Sequence, residues 1–416
     1  MTGADLASRA ASAKRPGMSR NAADGAATSA PAPQLGFEVL RRDGTTAARR
    51  GRLYTAHGTV ETPAFMPVGT LGAVKAMAPW EVEELGAEMV LGNTYHLALR
   101  PGVEVIARHG GLHRFSGWPH AILTDSGGFQ IFSLNALCRI EEEGVEFKSH
   151  IDGSRHFFRP EDVIAIQEAL GVDVAMVLDE CVAADAGPDA VARAVGRTTR
   201  WARRARDARR RDDQQVFAIV QGGMDYAQRE RSAAELCALG FDGYAVGGLS
   251  VGEERGLTHD VARHTVRLLP EDRPRYLMGV GTPEELVRFV AMGFDLFDCV
   301  LPTRNARNGM AFTSQGKLAI RNAEHRDDTR PLDPACECIA CRRFSRSFIR
   351  HLFVSNEILA ARLLTTHNLH FYLDRMARLR RAIERGELRA EAAALGVDLD
   401  APVGDAAQRR EEEREK

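Results

Sequence analysis

Ala121-Ile122-Leu123-Thr124-Asp125-Ser126-Gly127-Gly128-Phe129-Gln130 is the stretch on which the reading of this chain turns. Its first residues are apolar without alternation, which suits a strand buried on both faces, as in a parallel sheet. The run ends in a carboxylate, and the glycines that follow let a ligand approach the backbone closely. Comparable apolar runs lie at Pro63–Val68, Met89–Leu91, Val174–Leu178, Val216–Val220, Tyr244–Val246, Tyr276–Met278 and Leu296–Val300, which makes eight with Ala121–Leu123. Helical patterns separate them. In Pro160–Leu170 the proline suits a helix start, and Val163, Ile166 and Leu170 share one face. Pro283–Met292 repeats the pattern with Leu286, Phe289 and Val290. Eight βα units predict an α/β protein of the (β/α)8 TIM-barrel type. A doubly wound open sheet would call for a glycine-rich phosphate loop after the first strand, and Val68-Gly69-Thr70-Leu71-Gly72 is a poor match.

In such a barrel the active site is built from the C-terminal ends of the strands. Polar residues gather there. Asp125 follows the third run, Asp179-Glu180-Cys181 the fourth, Gln221-Gly222-Gly223 the fifth, and Gly247-Gly248-Leu249-Ser250-Val251-Gly252-Glu253 the sixth. Asp298 sits inside the eighth, where an acid is costly without a partner or a purpose. Three strand-end aspartates fit glycosyl transfer, one carboxylate attacking the anomeric carbon and another handling the proton of the leaving group. Each alone would read as a helix cap or a loop ion pair. Phe129 and Met278 stand near these acids and could stack on a flat base, although ordinary core is the plainer reading of either. Arg304 and Arg307 follow the eighth run and could hold phosphates.

Cys336, Cys338 and Cys341 crowd into one turn of a chain with seven cysteines. An odd, clustered set fits a reducing compartment and a metal site better than a disulfide framework. Three thiolates and one imidazole suit tetrahedral zinc, and a closed shell of four ligands is structural rather than catalytic. His351, His367 and His370 all compete for the fourth place.

The remaining composition narrows the partners. The formal net charge is -2, which argues against a strongly basic nucleic-acid binder but leaves room for a local patch. No apolar run approaches the roughly 20 residues needed to span a bilayer, so the reading is of a cytoplasmic protein with no membrane partner. Residues 1–33 are rich in Ala, Ser, Arg and Gly. They read as a disordered extension, with a transit peptide as the competing account. The catalytic barrel is expected over 34–386, with a zinc subdomain at about 303–371 and a charged helix and tail over 387–416. The arginines at 200, 203, 204, 206, 209, 210 and 211 read as a solvated helix face.

Several motifs in one order resemble a known family. Asp125-Ser126-Gly127-Gly128-Phe129-Gln130, Val220-Gln221-Gly222-Gly223, Val246-Gly247-Gly248-Leu249, Tyr276-Leu277-Met278-Gly279-Val280-Gly281 and Phe297-Asp298-Cys299-Val300-Leu301-Pro302-Thr303-Arg304 are similar to bacterial tRNA-guanine transglycosylase, as is the Cys336/Cys338/Cys341/His367 spacing. The resemblance runs from about Phe37 to Tyr372. It implies a TIM barrel with an inserted zinc subdomain, one structural Zn2+ per subunit held by those four residues, and a homodimer. It also implies exchange of the wobble guanine of tRNA for the queuosine precursor base 7-aminomethyl-7-deazaguanine by double displacement. In that scheme Asp298 is the nucleophile and Asp125 the general acid and base. Asp179, Gln221 and the Gly248 backbone read the edge of the base. Phe129 and Met278 cover its faces, Glu253 sets the peptide near Leu249, and Arg304 and Arg307 touch the tRNA. Val251 resembles the bacterial form, whereas eukaryotic catalytic subunits tend to carry glycine there. Phe129 replaces a tyrosine found in some members, and stacking survives that change. A noncatalytic tRNA-binding partner subunit is the alternative, but it should lack the two acids. An archaeal-type enzyme would carry further C-terminal RNA-binding domains. A barrel glycosidase would have no use for the zinc subdomain.

Overall fold

A computed structural model describes residues 35–133 and 138–403. The extension expected over 1–33 lies outside them, as does the part of the expected charged helix and tail beyond residue 403. Within them the apolar runs form one parallel sheet of eight strands: β1 (Ala64–Met66), β2 (Met89–Asn93), β3 (Ala121–Asp125), β4 (Val174–Met176), β5 (Gln215–Val220), β6 (Gly243–Val246), β7 (Arg275–Leu277) and β8 (Leu296–Asp298). From β2 to β8 each pairs with its neighbour in the chain, and β8 pairs with β1, Asp298 opposite Met66. The ring closes between β1 and β2 through a parallel bridge of Val68 with Leu91, where the Leu91 N–H donates to the Pro67 carbonyl at 3.0 Å. This is the barrel that the runs predict. Several strands stop a residue or two before the apolar character does, because the chain turns there to line the barrel mouth.

Helices α1 (Pro160–Leu170), α2 (Pro188–Ala208), α3 (Tyr226–Leu239), α4 (Arg255–Val266) and α5 (Pro283–Ala291) follow successive strands. Proline opens α1, α2 and α5, where its missing N–H has no intrahelical partner to lose. Thr282 and Glu285 cap α5 reciprocally, Thr282 Oγ1 accepting the Glu285 N–H and Glu285 Oε2 the Thr282 N–H. In α1, Val163 and Leu170 are buried but Ile166 is only half-buried. Gln167 takes the inner position instead: its amide pairs with both the N–H and the carbonyl of Met176, each at 2.9 Å, and accepts from Thr124 Oγ1. A fully satisfied amide can sit in a core and lock β3, β4 and α1 together.

Helix α6 (Leu301–Arg307) leads into a hairpin of Met310–Thr313 and Gly316–Ala319, the cysteine turn, and the long helix α7 (Ile358–Arg385). Helix α7 packs back on the barrel: Asn368 donates to the Pro302 and Met310 carbonyls, Arg375 to that of Pro283 and Arg380 to that of Pro63. Two antiparallel sheets of three strands had no counterpart in the sequence reading, one over Gly36–Thr62 and one over Cys138–Phe158. The first fastens to the N-terminal end of the barrel. Arg49 and Asp295 form a bidentate ion pair there with neither side chain exposed. Asp173, just before β4, accepts the His57 and His113 rings at 2.8 and 3.1 Å and two backbone N–H groups.

The arginine run also differs from its reading. Helix α2 ends at Ala208, so Arg209, Arg210 and Arg211 lie beyond it. Arg200 pairs with Glu142, Arg204 with Glu161 and Arg209 with Asp242, which ties the helix to its surroundings.

Candidate active site

The C-terminal strand ends enclose a cavity of about 400 Å³ lined by Asp125, Phe129, Asp179, Gln221, Gly248, Leu249, Met278, Asp298 and Arg304. Nine of the positions read from the sequence therefore meet in one place. Glu253 and Arg307 do not line it. Glu253 stands behind the wall, and Arg307 is exposed on α6 three residues beyond Arg304.

Asp298 ends β8 and is buried. Its Oδ1 accepts the Tyr276 hydroxyl at 2.6 Å and the Gly279 N–H at 2.7 Å. Its Oδ2 has no hydrogen bond among the described residues. Burial raises the carboxyl above its ordinary range, while the two hydrogen bonds pull the other way. Asp125 ends β3, opposite Asn93 at the end of β2. Asn93 Nδ2 donates to Asp125 Oδ2 at 2.6 Å, and the Thr94 N–H reaches Oδ1 at 3.3 Å. Burial, then the negative charge of Asp298, push Asp125 up to about 7. Asp179 accepts from Gln221 Nε2 at 2.6 Å and Ser126 Oγ at 3.1 Å, and burial raises it to about 6.

Glycine is required at the wall. A Cβ on Gly248, whose φ is +65°, would stand 2.4 Å from Gln221 Oε1, and one on Gly128 would stand 2.4 Å from Asp179 Oδ1. Gln221 Oε1 is itself buried with no hydrogen-bond partner among the described residues, an acceptor that a bound donor would satisfy. Beyond Leu249 the chain turns through Ser250, at φ +58°. Glu253 holds that turn, Oε1 accepting the Ser250 N–H at 2.5 Å and Oε2 the Val251 N–H at 2.9 Å.

The cavity also takes in Asn93, His96, Ser126 and Cys181. Asn93 carries the same signal as the aspartates, a polar residue closing an apolar run, and the sequence reading passed over it. His96 follows one turn later, and nothing local marks it.

Away from the cavity, the Cys336, Cys338 and Cys341 sulfurs and a His367 ring nitrogen all lie within 4.8 Å of one another. His367 Nδ1 is 3.3 Å from Cys341 Sγ and 3.6 Å from Cys338 Sγ, close to the roughly 3.5 Å between N and S donors on a tetrahedral zinc. Its Nε2 lies 2.7 Å from the Phe312 carbonyl, which fixes the tautomer that leaves Nδ1 free for a metal. The donor set therefore fits a metal ion, and His367 fills the fourth place. His370 approaches only Cys336, at 3.5 Å, and His351 is exposed.

Acids with raised pKa values gathered around one cavity at the C-terminal mouth of a (β/α)8 barrel are the arrangement of a barrel enzyme that works by nucleophilic and acid–base chemistry. The chain belongs to the queuine tRNA-ribosyltransferase family, whose model matches residues 43–395. It is 56% identical over 361 residues to the queuine tRNA-ribosyltransferase of Moorella thermoacetica, a match covering 87% of this chain and 97% of that protein. The enzyme of the same name from Pelotomaculum thermopropionicum is 56% identical over 354 residues, 85% of this chain and 96% of the relative. That from Aromatoleum aromaticum is 55% identical over 364 residues, 87% and 98%.

Proposed function

We propose that this chain is a tRNA-guanine transglycosylase that exchanges the wobble guanine of tRNA for 7-aminomethyl-7-deazaguanine in queuosine biosynthesis, by two displacements at one ribose carbon. The observation that carries the reading is the pair Asp298, buried, and Asp125, half-buried, at two strand ends of one cavity and held in different hydrogen-bonding states. Tyr276 and Gly279 occupy Oδ1 of Asp298 and leave Oδ2 to act. That oxygen attacks C1′ as the bond from C1′ to guanine breaks, giving a covalent adduct with the tRNA. Asp125, near 7, gives its proton to the departing base. It then takes one from the incoming base, whose nitrogen attacks C1′ and releases Asp298. Two inversions retain the sugar configuration.

The other residues bind. Asp179 accepts N–H groups of the base, and Gln221 with the Gly248 backbone reads the rest of that edge. Phe129 and Met278 cover the faces of the base. Glu253 holds the Leu249–Ser250 peptide with its N–H turned away from the base, so the Leu249 carbonyl faces the opposite way and can accept from the aminomethyl group. Arg304 and Arg307 hold phosphates. Unpaired loop nucleotides can be splayed into such a pocket without opening a duplex. Cys336, Cys338, Cys341 and His367 would hold one structural zinc, which supplies no chemistry to the exchange. The reading extends to a cytoplasmic homodimer on family membership alone. No described helix is long and apolar enough to cross a membrane.

The test is incorporation of labelled guanine into tRNA bearing a wobble guanine, by the wild type and by Asp298→Ala. Incorporation by the wild type and its loss in the variant are expected, with a tRNA adduct trapped on the wild type alone. Absence of exchange by folded, metal-loaded wild type would shift the reading to a noncatalytic tRNA-binding subunit.

A further inference from the structure

Arg229 lies in the first turns of α3 and is fully buried. No carboxylate among the described residues forms an ion pair with its guanidinium, although the charge of Glu253 is felt from further away. A buried cation is costly without a counter-ion, and the N-terminal end of a helix is the end that repels positive charge. All its hydrogen bonds go to backbone carbonyls of two loops. Nε donates to Gly223 O at 2.9 Å, Nη1 to Val220 O at 2.9 Å and to Gly247 O at 2.8 Å, and Nη2 reaches toward Gly248 O at 3.4 Å. Those carbonyls flank Gln221 after β5 and lie at and beside Gly248 after β6.

The packing around the loops shows what the cation fixes. A Cβ on Gly222 would meet the Arg229 backbone nitrogen at 2.7 Å, and one on Gly247 would meet Gln221 Nε2 at 2.9 Å. The Gln221 amide therefore rests on the peptide whose carbonyl Arg229 holds, and from there it reaches Asp179. With four carbonyls engaged by one rigid fork, the peptides after β5 and β6 cannot rotate independently.

We propose that Arg229 is a positioning residue that locks the two loops together, so that Gln221 and the Gly248 backbone meet the base already oriented. This rests on the base-reading role given above to Gln221 and Gly248. Arg229 touches neither base nor ribose in this arrangement. It acts on binding of the free base, not on the displacement at C1′ or on the grip on tRNA.

The test uses full-length, metal-loaded Arg229→Met and Arg229→Lys with Gln221→Ala in parallel. Exchange kinetics are measured with guanine and tRNA varied separately, together with equilibrium titration of guanine alone. Arg229→Met is expected to raise KM and Kd for guanine by at least about tenfold, with kcat and KM for tRNA within about threefold of wild type. Arg229→Lys keeps the charge but not the fork and should fall between; it carries the test if the methionine variant does not fold. Unchanged guanine affinity in a folded Arg229 variant, or an equal loss in kcat and both KM values, would overturn the proposal. If Gln221→Ala weakens guanine and the Arg229 variants do not, only the role of Arg229 falls. If none of them does, the base-reading assignment falls with it.

Discussion

Asp125 owes its acidity to where it sits. Burial is the larger cause of its rise to about 7, and the charge of Asp298 adds to it. An acid poised there can give and take a proton at neutral pH. Asp125→Asn is expected to lower kcat by about 10²–10⁴-fold and to remove the inflection near pH 7 from the pH profile of kcat/KM, which reports the free enzyme. The same shift has a sign for stability. The folded pKa lies above the ordinary 3.8, so Asp125 stabilises the native state fully below that value and loses this contribution as pH rises through about 7. The asparagine variant should therefore gain thermal stability relative to wild type at pH 8 but not at pH 4, a difference that calorimetry at the two pH values would check. The acids were legible in the sequence because each closes an apolar run, where a barrel places its chemistry. Arg229 was not, since it reaches the strand ends from a helix and its partners are carbonyls, which every residue has.

Among the elements, the parallel strands were legible and the antiparallel ones were not. A strand buried on both faces shows as an unbroken apolar run. The strand Arg49–Thr55 instead buries Arg49 and Arg50, satisfied by ion pairs and carbonyls, and a local hydropathy reading cannot see those partners. The cysteine turn was plain from its spacing, whereas the choice among three histidines needed helix α7, which presents His367 to the sulfurs, and the hairpin strand Met310–Thr313, whose Phe312 carbonyl meets its other nitrogen. A metal held there would therefore be coupled to the helix. Removal of the metal by a strong chelator is expected to lower the melting temperature and to release one zinc per chain. His367→Ala should melt at the lower temperature with or without chelator. Equal melting of treated and untreated wild type would count against a structural role.

At the scale of the whole molecule, a net charge of -2 means that any attraction for tRNA is local. Arg304 lines the cavity mouth and Arg307 lies exposed on the same helix, while many arginines of the 200–211 run are tied to acids. Replacing Arg304 or Arg307 by alanine should weaken tRNA binding and reduce the slope of log Kd against log salt by roughly one for each phosphate no longer neutralised. Substitution of Arg204, which is paired with Glu161, should leave that slope unchanged, and filter binding across a salt series would separate the two. Ring closure has a consequence in time. Strand β1 finds its partner only in β8, residues 64–66 against 296–298, and Arg380 of α7 then holds the Pro63 carbonyl beside the joint. A ribosome delivers the first of these segments long before the last. At about 5–20 residues per second, the newborn chain spends on the order of tens of seconds with an apolar strand edge bare, so its yield in the cell depends on what shields that edge during translation.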